Sequence, residues 1–162
     1  MQLITFGAAI KYAIDLEIQG MNIYEYGARK SKNTKSEETL LDLAASNKKR
    51  KEMLEKLYGE NIYSDQDTGI FEPIGGLETA RYITQNQKLD QVDFSGILSL
   101  GMGIEEKSKS FYLDMAAQLE FRRRGIAKKL QKIAHENSER RLKLKSLQDS
   151  VSLQRDAETH TL

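Results

Sequence analysis

Two short polar motifs interrupt apolar helical stripes in this chain of 162 residues. The stripes are Leu43, Asn47, Arg50 and Leu54 and, 90 residues later, Ile133, Asn137, Arg140 and Leu144. Spacings of three and four residues put each set on one face of an α-helix. Burying a polar pair without partners is costly, so each motif needs hydrogen-bonding groups from elsewhere in the fold.

A second repeated pattern supplies such groups. Glu17 and Tyr24 lie seven residues apart, and Glu105 and Tyr112 have the same spacing 88 residues later. Each pair shares a helical face with apolar residues. The chain therefore reads as a helix carrying Glu and Tyr, then a helix carrying Asn and Arg, with the whole unit occurring twice. An internal repeat of this kind favours a fold made from two copies of one unit.

The elements that position these residues are predicted to be four long α-helices in an all-α four-helix bundle. The predicted bounds are 3–32, 36–58, 93–118 and 121–148. The glycine-rich connector 59–92 must run the length of the bundle as a long crossover, with one short helix at about 76–85. We therefore expect one domain at 1–148, made of helix pairs 3–58 and 93–148, followed by a flexible polar tail at 149–162.

The amino-acid composition limits the kinds of site and partner that the chain can have. The chain has no cysteine, which excludes disulfides, thiolate metal sites and thiol nucleophiles and is typical of a cytoplasmic protein. No apolar run is long enough to span a bilayer, so we expect no membrane partner. Residues 121–145 carry ten Lys or Arg against two Glu. We interpret them as a solvated helix face, and a nucleic-acid partner is not expected.

The two helix pairs with these motifs resemble the ferritin-like superfamily, and its rubrerythrin-type branch in particular. The resemblance covers most of residues 5–148. In that family each half supplies one Glu from its first helix and a Glu-x-x-His from its second, and the six side chains hold two irons inside the bundle. Glu17 and Glu105 fall at the first-helix ligand positions, and Tyr24 and Tyr112 fall where the family places a tyrosine near the metal glutamate.

The sequence departs from the family pattern at the other four ligand positions. Asn47 and Asn137 stand at the two Glu positions, and Arg50 and Arg140 stand at the two His positions. Arginine keeps its proton and has no lone pair to donate to a metal. We therefore expect a vestigial metal site in which two Glu–Arg ion pairs, bridged by the asparagine amides, take the place of the irons. The guanidinium fork suits a carboxylate.

The function expected from the resemblance is a metal-free binding, scaffold or regulatory protein, as a homodimer or with another protein partner. No catalytic residue and no cofactor are predicted. The alternative is an oxidoreductase of the diiron-carboxylate type, peroxidase-like or ferroxidase-like, with iron or manganese held by Glu17 and Glu105. Neighbouring Glu106 and Glu136 would then complete a distorted metal site.

Two simpler interpretations stay open from the sequence alone. Arg50 and Arg140 can lay their stems on the core and extend their charged heads into water. His135 lies on the far side of its helix from Asn137, so we expect it to face solvent rather than a metal.

Overall fold

The computed structural model describes residues 1–62, 69–83, 88–120 and 123–160. These residues form mostly helix, which confirms the all-α prediction in its coarse form. The four α-helices are α1 (Phe6–Lys30), α2 (Lys35–Ile62), α3 (Phe94–Leu119) and α4 (Arg124–His160). In the described residues between α2 and α3, three short 3-10 turns lie at Gly69–Phe71, Thr79–Arg81 and Leu89–Gln91.

Helix starts follow local capping chemistry. Thr5 precedes α1, and its hydroxyl accepts a hydrogen bond from the backbone N–H of Ala8 at 3.2 Å. Asp93 precedes α3, and its carboxylate accepts one from the N–H of Gly96 at 2.8 Å. Each cap satisfies a backbone donor that the first helical turn leaves without a partner. The bounds of α1 and α3 thus have a local cause in the sequence.

A two-stranded antiparallel sheet was not predicted, and the predicted helix start at residue 3 is wrong because residues 2–5 form a strand. Strand β1 (Gln2–Thr5) pairs with β2 (Pro73–Glu78), with Gln2 opposite Glu78 and Leu3 opposite Leu77. Both leucines are buried. The prediction of a helix at about 76–85 is wrong over 76–83, where the strand ends and a 3-10 turn follows, and 84–85 lie outside the described residues. Gly76 has a positive φ of 88°, which a helix does not tolerate.

The helices pack as two hairpins. α1 lies along α2, α3 lies along α4, and α1 also contacts α3. The α2 and α4 backbones approach each other far less closely, and a cleft of about 470 Å³ separates these two helices. This opening is a feature of the fold that the repeated sequence pattern does not predict.

The core is divided into two apolar clusters. The larger one contains residues such as Phe6, Leu54 and Phe111, and the smaller one contains residues such as Leu98 and Leu144. On every helix the polar motif residues lie between the segments that contribute to these two clusters. The fold therefore places a polar layer between the two apolar clusters.

A separate polar contact holds the crossover against the helices. The Arg123 guanidinium donates to Glu72 at 2.5 Å and to the side-chain oxygen of Asn61 at 2.7 Å, and it stacks 4.6 Å from the centre of the Phe6 ring. Glu72 is buried. This arrangement joins the crossover to the end of α2, the start of α1 and the segment before α4.

The last helix is longer than predicted. α4 continues to His160, whereas the sequence pattern indicated an end at 148. Residues 152–160 are exposed. The helix continues there because the segment contains no glycine or proline to end it. Flexibility of this polar segment stays a prediction.

Candidate functional site

The six residues predicted to form one polar cluster lie together between the four helices. α1 supplies Glu17, α3 supplies Glu105, and α2 and α4 each supply one Asn and one Arg. All six are buried, with exposed fractions of 1–7% for Glu17, Asn47, Arg50, Glu105, Asn137 and Arg140. The interpretation that the arginines extend their heads into water is therefore wrong for both of them.

Glu17 is held mainly by neutral donors. The Tyr112 hydroxyl donates to one carboxylate oxygen at 2.7 Å, and the Asn47 amide donates to the other at 2.8 Å. The nearest guanidinium nitrogen, on Arg50, is 3.9 Å away. That distance is too long for a hydrogen bond, so charge attraction without direct bonding joins Glu17 to Arg50.

Glu105 has a direct ion pair. Arg140 donates from Nε to one carboxylate oxygen at 3.0 Å, and the Tyr24 hydroxyl donates to the same oxygen at 2.5 Å. The Arg140 guanidinium also lies 5.6 Å from the centre of the Tyr24 ring. Tyr24 is on α1 and Tyr112 is on α3, so each tyrosine binds the glutamate of the other hairpin.

The two asparagines bridge α2 and α4 reciprocally. Arg50 on α2 donates to the amide oxygen of Asn137 on α4 at 2.8 Å. Arg140 on α4 donates to the amide oxygen of Asn47 on α2. Each asparagine therefore accepts from the arginine of the opposite helix, which spans the gap between the two backbones. The prediction that the amides bridge two Glu–Arg pairs holds only in part: Asn47 links Glu17 to Arg140, whereas Asn137 contacts Arg50 and, among the described residues, no glutamate.

The two halves of the cluster are not equivalent. Arg50 makes its close ion pair with Glu136, at 2.9 Å, rather than with Glu17. Among the described residues, two buried donor atoms have no acceptor: Nε of Arg50 and the amide nitrogen of Asn137. Asn47, the counterpart of Asn137, donates its amide hydrogen to Glu17. The two copies of the motif therefore make different hydrogen bonds.

Two residues of the cluster were not singled out as members from the sequence. Glu136 was considered only as a spare metal ligand, and it instead binds Arg50. Ser46 accepts a hydrogen bond from Arg140 at 3.1 Å. Each precedes a motif asparagine by one position, and this adjacency is the signal that would have indicated both.

Burial and neighbouring charges shift the pKa of four residues of the cluster. Burial raises the pKa of Glu17, although Arg50 and the Tyr112 hydroxyl act in the opposite direction. Burial also raises the pKa of both Tyr24 and Tyr112, and the adjacent carboxylates raise it further. For Arg50 burial acts to lower the pKa, but Glu17 and Glu136 outweigh it and the pKa is raised. Both tyrosines are thus neutral hydrogen-bond donors, and Arg50 keeps its charge.

The raised pKa of Glu17 predicts the sign of a pH effect. The folded protein holds this proton more tightly than the unfolded chain, so the contribution of Glu17 to stability is fully present below its unfolded value of 4.5 and is lost as pH rises through its folded value. We expect the stability of the wild type relative to the Glu17→Gln variant to fall as pH rises above 4.5. Urea unfolding of both proteins at a series of pH values from 4.5 upward measures the difference. A difference that grows with pH would contradict the prediction.

Close helix approach leaves no room for a side chain at Gly20. A Cβ atom there would lie 2.7 Å from the Asn47 amide nitrogen, which is fixed by its bond to Glu17. We expect Gly20→Ala to lower the free energy of unfolding by about 1–3 kcal/mol. Gly103 is a matched control, because a Cβ there meets nothing within 4 Å. Gly103→Ala should stabilise the protein by about 1 kcal/mol in the same thermal or urea unfolding experiment.

The residues present do not fit a dinuclear metal site. The Arg140 guanidinium is bonded to Glu105 and the Arg50 guanidinium lies 3.9 Å from Glu17, and arginine cannot ligate a metal. Across residues 1–62, 69–83, 88–120 and 123–160, no group of three or more His, Cys, Asp or Glu side chains is placed to hold a metal ion. Glu106 contacts Arg141 at 3.3 Å, and the exposed His135 contacts Glu139 at 3.3 Å, as expected for a residue facing solvent.

Comparison with protein-family models, curated proteins and solved structures finds no match to this chain. In the part of the chain that the structure describes, no helix is both long and apolar enough to cross a membrane.

Proposed function

We propose that this chain is a rubrerythrin-type, ferritin-like bundle of two helix-pair repeats in which an ion-pair cluster replaces the diiron site, and that it is a non-catalytic binding, scaffold or regulatory protein. The helix order supports the proposal, since two hairpins joined by a long crossover are one arrangement that four-helix bundles adopt. The reciprocal Tyr–Glu bonds between the hairpins also support it.

The observation that carries the proposal is the position of the two guanidiniums. Arg140 donates to Glu105 and Asn47, and Arg50 donates to Asn137 and Glu136. The two guanidiniums would repel a cation bound among these side chains, and the buried carboxylates of Glu17 and Glu105 already accept hydrogen bonds from other donors. The arrangement therefore favours structural cohesion and ligand binding over redox chemistry.

The metal content of the purified protein tests the proposal. The chain is expressed in iron- and manganese-replete medium and purified without chelator. Its metal content is then measured by elemental mass spectrometry. We expect far less than one metal ion per chain. Near-stoichiometric iron or manganese that is lost in a Glu17→Gln, Glu105→Gln double variant would overturn the proposal in favour of the oxidoreductase alternative.

A further inference from the structure

The cleft between α2 and α4 opens onto the polar cluster. Its volume of about 470 Å³ lies in the range of small-molecule sites. Arg50 and Arg140 both line it, together with Ser46 from α2 and Glu136 from α4. Buried arginines on the wall of a cleft are unusual, because guanidiniums are normally either solvated or fully paired within the protein.

Glu136 differs from the other carboxylates of the cluster. The side chains of Glu17 and Glu105 are 2% and 3% exposed, whereas that of Glu136 is 38% exposed. Glu136 nevertheless makes the only direct carboxylate contact of Arg50 within the described residues, at 2.9 Å. A half-exposed side chain at the cleft thus binds an arginine that is 7% exposed.

We propose that this cleft binds a small-molecule carboxylate at Arg50, and that the ligand takes the place of Glu136. The inference rests on the binding role proposed above and names its ligand class. The exchange leaves the number of carboxylates on Arg50 unchanged, because Glu136 moves into solvent as the ligand enters. The buried charge balance is therefore preserved, and the buried guanidinium is not left without a carboxylate at any stage.

Ser46 gives the ligand a second contact. Its hydroxyl accepts from Arg140 at 3.1 Å, and within the described residues it donates no hydrogen bond. The hydroxyl lies on the same helix as Arg50, one turn away, and it can donate a hydrogen bond to a ligand oxygen. Leu43 and Leu147 line the cleft as well, and they suit the carbon chain of a short carboxylic acid.

Titration of the full-length protein with succinate, followed by amide NMR shifts or calorimetry at constant ionic strength, tests this site. Wild type should bind succinate and should not bind succinamide, its neutral counterpart. Glu136→Gln removes the internal charged competitor and should tighten succinate binding about tenfold. Ser46→Ala should weaken it, and neither substitution touches Glu17, Glu105 or the asparagines.

Glu139→Gln is the matched control. Glu139 lines the same cleft and carries the same charge, but it contacts His135 rather than an arginine. We expect little change in its succinate affinity. Equal tightening in both glutamine variants, or no tightening in Glu136→Gln, would overturn the inference. The metal content of the protein is measured in a separate experiment. A negative succinate result would therefore overturn the carboxylate site without deciding whether the cluster binds metal.

Discussion

Replacing Glu105 by glutamine is expected to lower the free energy of unfolding by about 3–5 kcal/mol. Within the described residues Glu105 is the only carboxylate paired with the buried Arg140. Glutamine has nearly the same shape, so the cost comes from a guanidinium left in the interior without a counter-charge. The same change also weakens the acceptor of the Tyr24 hydroxyl. Urea unfolding at neutral pH measures the loss.

Glu17→Gln is expected to cost less than Glu105→Gln. Arg50 keeps its direct contacts to Glu136 and Asn137 when the Glu17 charge is removed. Glu106→Gln is the exposed control, because its side chain is 62% exposed and pairs with Arg141 at the surface. We expect that control to change stability by less than about 1 kcal/mol. Equal losses for Glu17 and Glu105 would show that the two halves of the cluster are energetically equivalent, contrary to the asymmetry of their contacts.

Introducing the ligand pattern of the diiron proteins is expected to create a metal site. The variant carries Asn47→Glu, Arg50→His, Asn137→Glu and Arg140→His, which together with Glu17 and Glu105 completes four carboxylates and two imidazoles. Two positive charges are removed and two negative charges are added. The buried negative charge then needs bound cations to compensate it. We expect the variant to bind two iron ions per chain, as the six-ligand set does in diiron carboxylate bundles.

Metal content, iron absorption spectra and thermal stability with and without iron measure this result. Without metal the variant should be much less stable than wild type, because four buried carboxylates then lack cations. Iron should restore stability by binding only the folded form. The paired control carries the two Arg→His changes alone, and it lacks two of the carboxylates. A folded quadruple variant that binds no iron would show that the correspondence with diiron proteins is wrong.

Several parts of the fold were predictable from local pattern. The long helices were predicted with most of their bounds within a few residues, because apolar stripes with period 3.6 extend through them and caps such as Asp93 mark where they start. Burial of the polar residues was also predictable, since each lies on an apolar stripe. A stripe fixes the face of a helix that enters the core, so each of the six residues was expected to point inward.

Other parts could not be predicted because they depend on partners distant in sequence. The strand Gln2–Thr5 continues directly into a helix, and it becomes a strand only because residues 73–78 return beside it. Two near-identical motifs predict two near-identical environments, yet Arg50 binds Glu136 while Arg140 binds Glu105. That difference follows from the residue before each asparagine, which is Glu136 in one motif and Ser46 in the other, and it became visible only once α2 and α4 were placed side by side.

The exchange of tyrosine contacts between the hairpins has a consequence for how the chain unfolds. Each glutamate accepts one hydrogen bond from its own hairpin, from Asn47 or Arg140, and one from a tyrosine of the other hairpin. Detaching one hairpin from the other would break both tyrosine contacts at once and leave each glutamate one donor short. The two hairpins should therefore unfold in a single cooperative transition, and neither should persist alone as a folded intermediate.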